Sequence, residues 1–205
     1  MTIDYLIEQF FLKRELIFDL DNTLMDEKEF LIGAYHDISV KLLPNNTEES
    51  FLFLKDTFEK EGRESIFNKL INKFPAENVS LENCLYVLRN FKPKRKIKTK
   101  KWFREFCLKL TTPFKLKIIT NGYPNQQVNK INSLKLPKLV TVEEVIYANK
   151  YEPKPSQNCF YKLKNFNKFK APIFIGDSHT DEVFCKNLKI EFYNVNNLNK
   201  KFDVI

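Results

Sequence analysis

Acidic side chains follow the first apolar run of this 205-residue sequence. In FDLDNTL, at residues 18–24, Asp19 and Asp21 are two positions apart. Alternate residues of an extended strand share one face, so the two carboxylates would lie together and repel each other. A Mg²⁺ ion relieves this repulsion, because it takes carboxylate oxygens and keeps waters for a substrate phosphate. A solvated turn at the strand end is the alternative interpretation of this acidic pair.

A hydroxyl and an amide side chain follow a second apolar run, in ITNG at residues 119–122. Thr120 is suited to donate a hydrogen bond to a phosphoryl oxygen. The backbone amides of Asn121 and Gly122 could join it, because glycine lets the backbone approach a ligand closely. An ordinary junction of strand and turn explains the same residues, so this motif alone does not distinguish a phosphate-binding loop from a structural turn.

A lysine and two more acids complete the candidate chemistry. Lys154 precedes an expected helix at residues 157–166, whose N-terminus would favour an anion. One surface lysine among many is the alternative. Asp177 and Asp181, in GDSHTDE at residues 176–182, follow another apolar run. With the first pair they indicate a cation site with four nearby carboxylates, whereas helix capping by Asp177 is the alternative.

The elements that must position these groups alternate along the chain. Apolar runs predict buried strands at residues 16–20, 116–120, 145–148, 173–176 and 190–195. Helical periodicity occurs between them, at residues 100–110, 126–134, 156–166 and 181–188. This alternation predicts an α/β fold with a doubly wound, mostly parallel sheet. Since such sheets bind ligands at the carboxyl ends of their strands, we expect the four motifs to converge there.

One interval, residues 26–91, lacks a strand pattern. It carries helical periodicity at residues 28–43, 48–61, 64–74 and 80–90, with Pro44 and Pro75 as breaks. We therefore predict a helical cap at 26–91 inserted into a core formed by 1–25 and 92–205. The packing of residues 1–15 stays open.

In this order, FDLDNTL, ITNG, EPKPSQNCF and GDSHTDE resemble the four motifs of the haloacid dehalogenase-like (HAD) hydrolase superfamily. The resemblance spans residues 16–195, and the helical insert resembles the C1 cap of that family. The segment TNGYPNQQVNKINSLKL is similar to the nucleotidase-like and phosphoglycolate-phosphatase-like branches. The resemblance implies a Rossmann-like core and Mg²⁺-dependent hydrolysis of a small phosphate monoester, such as a nucleoside 5′-monophosphate, a sugar phosphate or phosphoglycolate.

The same resemblance implies residue roles. Asp19 would be the nucleophile that forms an aspartyl phosphate, and Asp21 the general acid and base. Thr120 and Lys154 would neutralise the phosphoryl group, with Asn121 and Gly122 binding substrate beside them. Mg²⁺ would be held by Asp19, the carbonyl of Asp21 and Asp177, with Asp181 acting through water. An acid at position 21 favours phosphatase or phosphotransferase chemistry over dehalogenation.

The net charge of +8 leaves two other hypotheses open. A nucleic-acid-binding protein would use a basic surface, but the lysines are spread along the chain, which is typical of a solvated surface. A HAD scaffold that binds a partner subunit is the other. The cysteines lack the spacing of a zinc site, and no signal peptide or membrane-length apolar run is visible. We expect a cytoplasmic monomer or homodimer acting on a phosphorylated metabolite, without nucleic acid or membrane as partner.

Overall fold

The computed structural model describes residues 2–164 and 171–199 of the chain. The strands are β1 (Leu16–Phe18), β2 (Ile97–Lys98), β3 (Phe114–Thr120), β4 (Leu134–Lys135), β5 (Val140–Tyr147), β6 (Ile173–Gly176) and β7 (Glu191–Asn194). The α-helices are α1 (Ile3–Phe11), α2 (Glu27–Leu42), α3 (Thr47–Glu61), α4 (Ile66–Lys73), α5 (Leu81–Asn90), α6 (Lys101–Leu108), α7 (Pro124–Ser133), α8 (His179–Leu188) and α9 (Asn196–Asn199).

The central sheet has the strand order β5-β3-β1-β6-β7, and each neighbouring pair is parallel. β1 lies in the middle, with Ile17 paired to Lys117 of β3 and to Phe174 of β6. All three residues of β1 are buried, as expected for a strand covered by helices on both faces. The predicted α/β class with a mostly parallel sheet is therefore confirmed.

Alternation along the strands divides the core between the two faces of the sheet. Phe18 contacts the rings of Trp102, Phe103 and Phe114 on one face. Its neighbour Ile17 belongs to a separate apolar cluster on the other face. This follows from the two-residue period of a strand, which sends successive side chains to opposite sides.

Four helices, α2 to α5, occupy the interval between β1 and β2, as the insert pattern predicts. The buried ring of Tyr35 packs edge-on against Phe58 and Phe67, which joins α2 to α3 and α4. α5 also packs against α7 of the sheet domain. The division of the chain at residues 26 and 91 stays a prediction.

The structure contradicts one predicted helix and shows how the N-terminal segment, which the sequence left open, packs. The predicted helix at 156–166 is wrong over its described residues, which form only a 3-10 turn at Phe160–Lys162; residues 165 and 166 lie outside the described part. Pro153 and Pro155 lie just before this segment, and each disfavours helical geometry at the residue that precedes it. The N-terminal segment forms α1, whose buried Ile3 and Leu6 pack into the main core. Among the described helices, none combines the length and apolarity that a membrane crossing requires.

Candidate active site

Three parallel strands end at one cleft of about 300 Å³. Asp19 directly follows β1, Thr120 is the last residue of β3, and Asp177 directly follows β6. Because β1 lies between β3 and β6, the three side chains line the same cleft. The convergence predicted from the ends of the apolar runs is therefore what the fold produces.

A buried lysine bridges two of the acids in this cleft. Lys154 Nζ donates to Asp19 Oδ1 at 2.7 Å and to Asp181 Oδ1 at 2.5 Å. Burial raises the pKa of Asp19 to about 7, although the Lys154 ammonium opposes the shift. Burial also disfavours the charged form of Lys154, but the Asp19 and Asp181 carboxylates outweigh this and raise the pKa of Lys154.

Three carboxylates surround a position suited to a cation. Asp19, Asp177 and Asp181 each offer one oxygen, and these oxygens lie within 4.8 Å of one another. Burial raises the pKa of Asp177, while the hydrogen bond from Thr23 Oγ1 at 3.1 Å opposes the shift. One lysine leaves an excess of negative charge in this buried cluster, and carboxylate oxygens are the ligands that Mg²⁺ prefers. The residues therefore fit a divalent ion.

Asp21 lies outside this acidic group and binds residues of α7 instead. Lys130 Nζ donates to both carboxylate oxygens of Asp21, each at 2.7 Å, and Gln127 Nε2 donates to Oδ2 at 2.9 Å. Lys130 also donates to Glu27 Oε1 at 3.1 Å. The sequence analysis missed Lys130 and Gln127. Their spacing of three on a helix that follows ITNG was the available signal, since it places both on one face.

The residues of ITNG mainly fasten loops to each other. Thr120 Oγ1 donates to the Asn121 carbonyl at 3.1 Å and accepts from Gln127 Nε2 at 2.8 Å. The Asn121 side chain exchanges two hydrogen bonds with the Lys154 backbone, at 2.8 and 3.0 Å. The Gly122 amide donates to Asn149 Oδ1 at 2.8 Å, and its φ of 113° requires glycine.

This loop contact corrects the expectation for Lys154. No α-helix begins directly after Lys154, since the next one in the described residues is α8, so a helix N-terminus does not supply its position. Asn121 instead ties the Lys154 backbone to the end of β3, which aims the ammonium group at Asp19. The lysine enters the cleft as predicted, but for a different structural reason.

The capping alternative for Asp177 is also corrected. Ser178 is the N-cap of α8 and forms a capping box with Asp181. Asp181 Oδ2 accepts from Ser178 Oγ at 2.7 Å, which holds its carboxylate beside Lys154. Asp177 is therefore not used by helix capping, and its side chain faces the cleft.

The helical insert contributes a second cavity, of about 410 Å³. Its walls include the buried side chains of Leu31, Tyr35 and Phe67. Arg63 and Gln126 line both this cavity and the acidic cleft. The two spaces therefore adjoin, one charged and the other largely apolar.

A parallel α/β sheet with carboxylates at its strand ends and a helical insert beside them is the class of fold and site that the described residues define. Residues 16–195 match the model of the haloacid dehalogenase-like hydrolase family. Because this match covers most of the chain, the protein belongs to that family. Among curated proteins, none matches the chain in sequence.

Solved structures share this fold at low sequence identity. The HAD hydrolase YfnB from Bacillus subtilis, described as bound to magnesium, is 18% identical, with a TM-score of 0.56 over 87% of this chain and 85% of that one. A subfamily IA hydrolase from Geobacter sulfurreducens is 16% identical, with a TM-score of 0.56 over 88% and 86%. L-2-haloacid dehalogenase from Xanthobacter autotrophicus is 14% identical, with a TM-score of 0.50 over 88% and 76%. The solved structures that share this fold therefore include an enzyme named as a dehalogenase.

Proposed function

We propose that the protein is a Mg²⁺-dependent phosphatase that hydrolyses a small phosphate monoester through an aspartyl phosphate on Asp19. The observation that carries this proposal is the group formed by the buried Asp19 and Asp181 and the half-buried Asp177, with oxygens within 4.8 Å of one another. Lys154 supplies a fixed positive charge within the group. Asp21 lines the same cleft as a separate acid.

Two displacements at phosphorus make up the reaction. A carboxylate oxygen of Asp19 attacks phosphorus, the ester P–O bond breaks, and Asp21 gives its proton to the leaving oxygen. The products are the alcohol and phosphorylated Asp19. Water then attacks phosphorus while Asp21 takes its proton, and the P–O bond to Asp19 breaks. Inorganic phosphate leaves, and both aspartates return to their starting state.

Asp19 and Asp177 would hold Mg²⁺, together with the backbone carbonyl of Asp21, and Asp181 would act through water. When bound, the ion supplies positive charge for the phosphoryl oxygens and compensates the buried carboxylates. Magnesium in the structure of YfnB supports this assignment. Lys154 positions Asp19 and faces the phosphoryl group, where preorganised charge contributes most to phosphoryl transfer. Thr120, Asn121 and Gly122 line the cleft from the β3 loop and would bind the phosphate in exchange for the hydrogen bonds that Thr120 and Gly122 now donate to Asn121 and Asn149.

The presence of Asp21 favours a phosphatase over a dehalogenase. A halide leaves without a proton, whereas an alkoxide needs one. Asp21 lines the cleft and is held there by Lys130 and Gln127. Such an arrangement supplies an acid that dehalogenation would not use.

The adjoining cavity favours a substrate with an apolar or planar leaving group. Phosphate would occupy the charged cleft, and the rest of the ester would extend past Arg63 and Gln126. Leu81, Leu85 and Leu88, which line this cavity and are not buried, offer apolar surface to a nucleoside but nothing to the carboxylate of phosphoglycolate. We therefore propose a nucleoside 5′-monophosphate as the substrate class among the three named above.

A phosphate-release assay tests this function. The wild-type protein with Mg²⁺ should release phosphate from p-nitrophenyl phosphate and more efficiently from nucleoside 5′-monophosphates than from phosphoglycolate. Asp19→Asn should abolish release, because the amide cannot attack phosphorus. Full activity of Asp19→Asn, or halide release from 2-haloacids without phosphate release, would contradict the proposal. Silence across the panel would instead favour the partner-binding scaffold.

A further inference from the structure

Lys130 lines the cleft with a buried side chain, although it belongs to the polar helix α7. Its side chain is 2% exposed. The ammonium group lies between Asp21 and Glu27, and 5.2 Å from the ring centre of Phe30. A buried cation is costly unless its partners are well placed, so this position requires all of its contacts.

Gln127 holds the same carboxylate from one turn earlier on α7. Its Nε2 group donates to Asp21 Oδ2 at 2.9 Å and to Thr120 Oγ1 at 2.8 Å. The residue is 1% exposed. Within the part of the chain that the structure describes, its Oε1 atom has no hydrogen-bond partner. Gln127 therefore links Asp21 to the end of β3.

We propose that Lys130 is a positioning residue that, together with Gln127, holds the carboxylate of Asp21 in place for proton transfer at the leaving oxygen. This inference rests on the proposed function. Three hydrogen bonds fix a side chain that otherwise rotates about two bonds. Glu27 gives the ammonium group a second acceptor at 3.1 Å, so the helical insert also holds Lys130 beside Asp21.

If Asp21 is misplaced, cleavage of the ester should slow in proportion to how strongly its leaving oxygen needs a proton. An alkyl phosphate has a basic leaving oxygen and depends on Asp21, whereas p-nitrophenolate leaves without a proton. Loss of Lys130 should therefore affect the two kinds of ester unequally. Simple loss of structure would affect both equally.

The experiment compares kcat/KM for a nucleoside 5′-monophosphate and for p-nitrophenyl phosphate in Lys130→Met and wild type. We expect a loss of about 100-fold for the alkyl ester and a loss below about tenfold for the aryl ester. Lys130→Arg should restore part of the alkyl activity, because it keeps the charge. Addition of Lys130→Met to Asp21→Asn should cost little more than Asp21→Asn alone, because both changes act on one proton transfer.

Lys117→Met is the matched control. Lys117 is also a buried lysine between two acids, Glu15 at 2.7 Å and Glu143 at 3.6 Å, but it lines a different cavity. Its loss should lower the melting temperature while the ratio of alkyl to aryl activity stays at the wild-type value. Gln127→Met carries the same expectation as Lys130→Met, so the comparison remains decisive if Lys130→Met does not fold.

Equal losses for both esters in Lys130→Met and Gln127→Met would overturn the inference. In that case wild type would still hydrolyse both esters and Asp19→Asn neither, and the phosphatase proposal would stand. Failure of wild type on both esters would remove the phosphatase proposal itself, together with the role of Lys130. The two failures are therefore distinguishable in one set of assays.

Discussion

Two buried lysines at the same cleft each lie between two carboxylates, yet their surroundings differ. Lys154 bridges Asp19 and Asp181 among residues that follow the strands. Lys130 bridges Asp21 and Glu27, and so connects α7 to the first turn of the helical insert. The difference lies in what else is close to each pair.

A third carboxylate, that of Asp177, joins the Lys154 cluster and leaves it with an excess of negative charge. In the Lys130 cluster Glu27 also pairs with Arg63 at 3.1 Å, so two cations face two carboxylates, and the neutral amide of Gln127 donates another hydrogen bond to Asp21. The first arrangement favours a further cation, whereas the second already compensates its charge and fixes an orientation. A similar ion-pair geometry therefore serves binding in one place and positioning in the other.

The largest effect on stability should come from Lys154→Met. If Mg²⁺ changed the stability of Lys154→Met and Lys130→Met in the same way, the two clusters would not differ as described. Removing the ammonium leaves buried carboxylates uncompensated, so we expect a loss of about 3–5 kcal/mol in the free energy of unfolding without metal. Mg²⁺ should recover part of that loss at Lys154 but not at Lys130. Urea unfolding with and without Mg²⁺ measures both; equal recovery in the two variants would contradict the distinction.

Stabilisation by Mg²⁺ is a smaller expected effect, and it tests whether the cation binds at the Lys154 cluster. Saturating Mg²⁺, at about 100 times its dissociation constant, should stabilise wild type by about 2.7 kcal/mol. Asp177→Asn should lose most of this gain, because it removes a charged ligand. Glu27→Gln, an equal change of charge in the Lys130 cluster, should keep it. The measurement is the melting temperature across a Mg²⁺ titration, and a lost shift in Glu27→Gln would place the ion elsewhere.

The smallest effect should come from two cysteines outside both clusters. It separates the pH dependence of stability that is due to the apolar core from any that is due to the cleft. Burial raises the pKa of Cys84 to about 11 and that of Cys107 to about 12, above the ordinary 9.0. The folded-state pKa exceeds the unfolded one, so this stabilising contribution is fully present below pH 9 and is lost as pH rises toward 11–12. The free energy of unfolding should therefore be lower at pH 10 than at pH 8.

The control is a chain with Cys84→Ala and Cys107→Ala. These changes lower stability at every pH because they leave cavities, but they should reduce the slope between pH 8 and pH 10. The Mg²⁺-dependent rise in melting temperature should be unchanged. An unaltered slope would show that other groups govern the alkaline loss.

Much of the fold and part of the site could be predicted from local patterns. Apolar runs such as those at β1 and β6 determine buried parallel strands, because both of their faces must be covered. The topology of such strands brings their carboxyl ends together, so Asp19, Thr120 and Asp177 could be assigned to one cleft from their places in the sequence. The helices of the insert could also be predicted from the sequence, since their hydrophobic periodicity is local.

Tertiary structure alone decided the partners of Asp21 and the path of Lys154. By composition Lys130 and Gln127 belong to a polar helix, and only contact with Asp21 and Glu27 makes their burial favourable. Lys154 was expected before a helix, but two prolines leave an irregular loop whose position depends on Asn121. Sequence periodicity determines which face of an element is buried, whereas the pairing of charges depends on which elements the folded chain brings together.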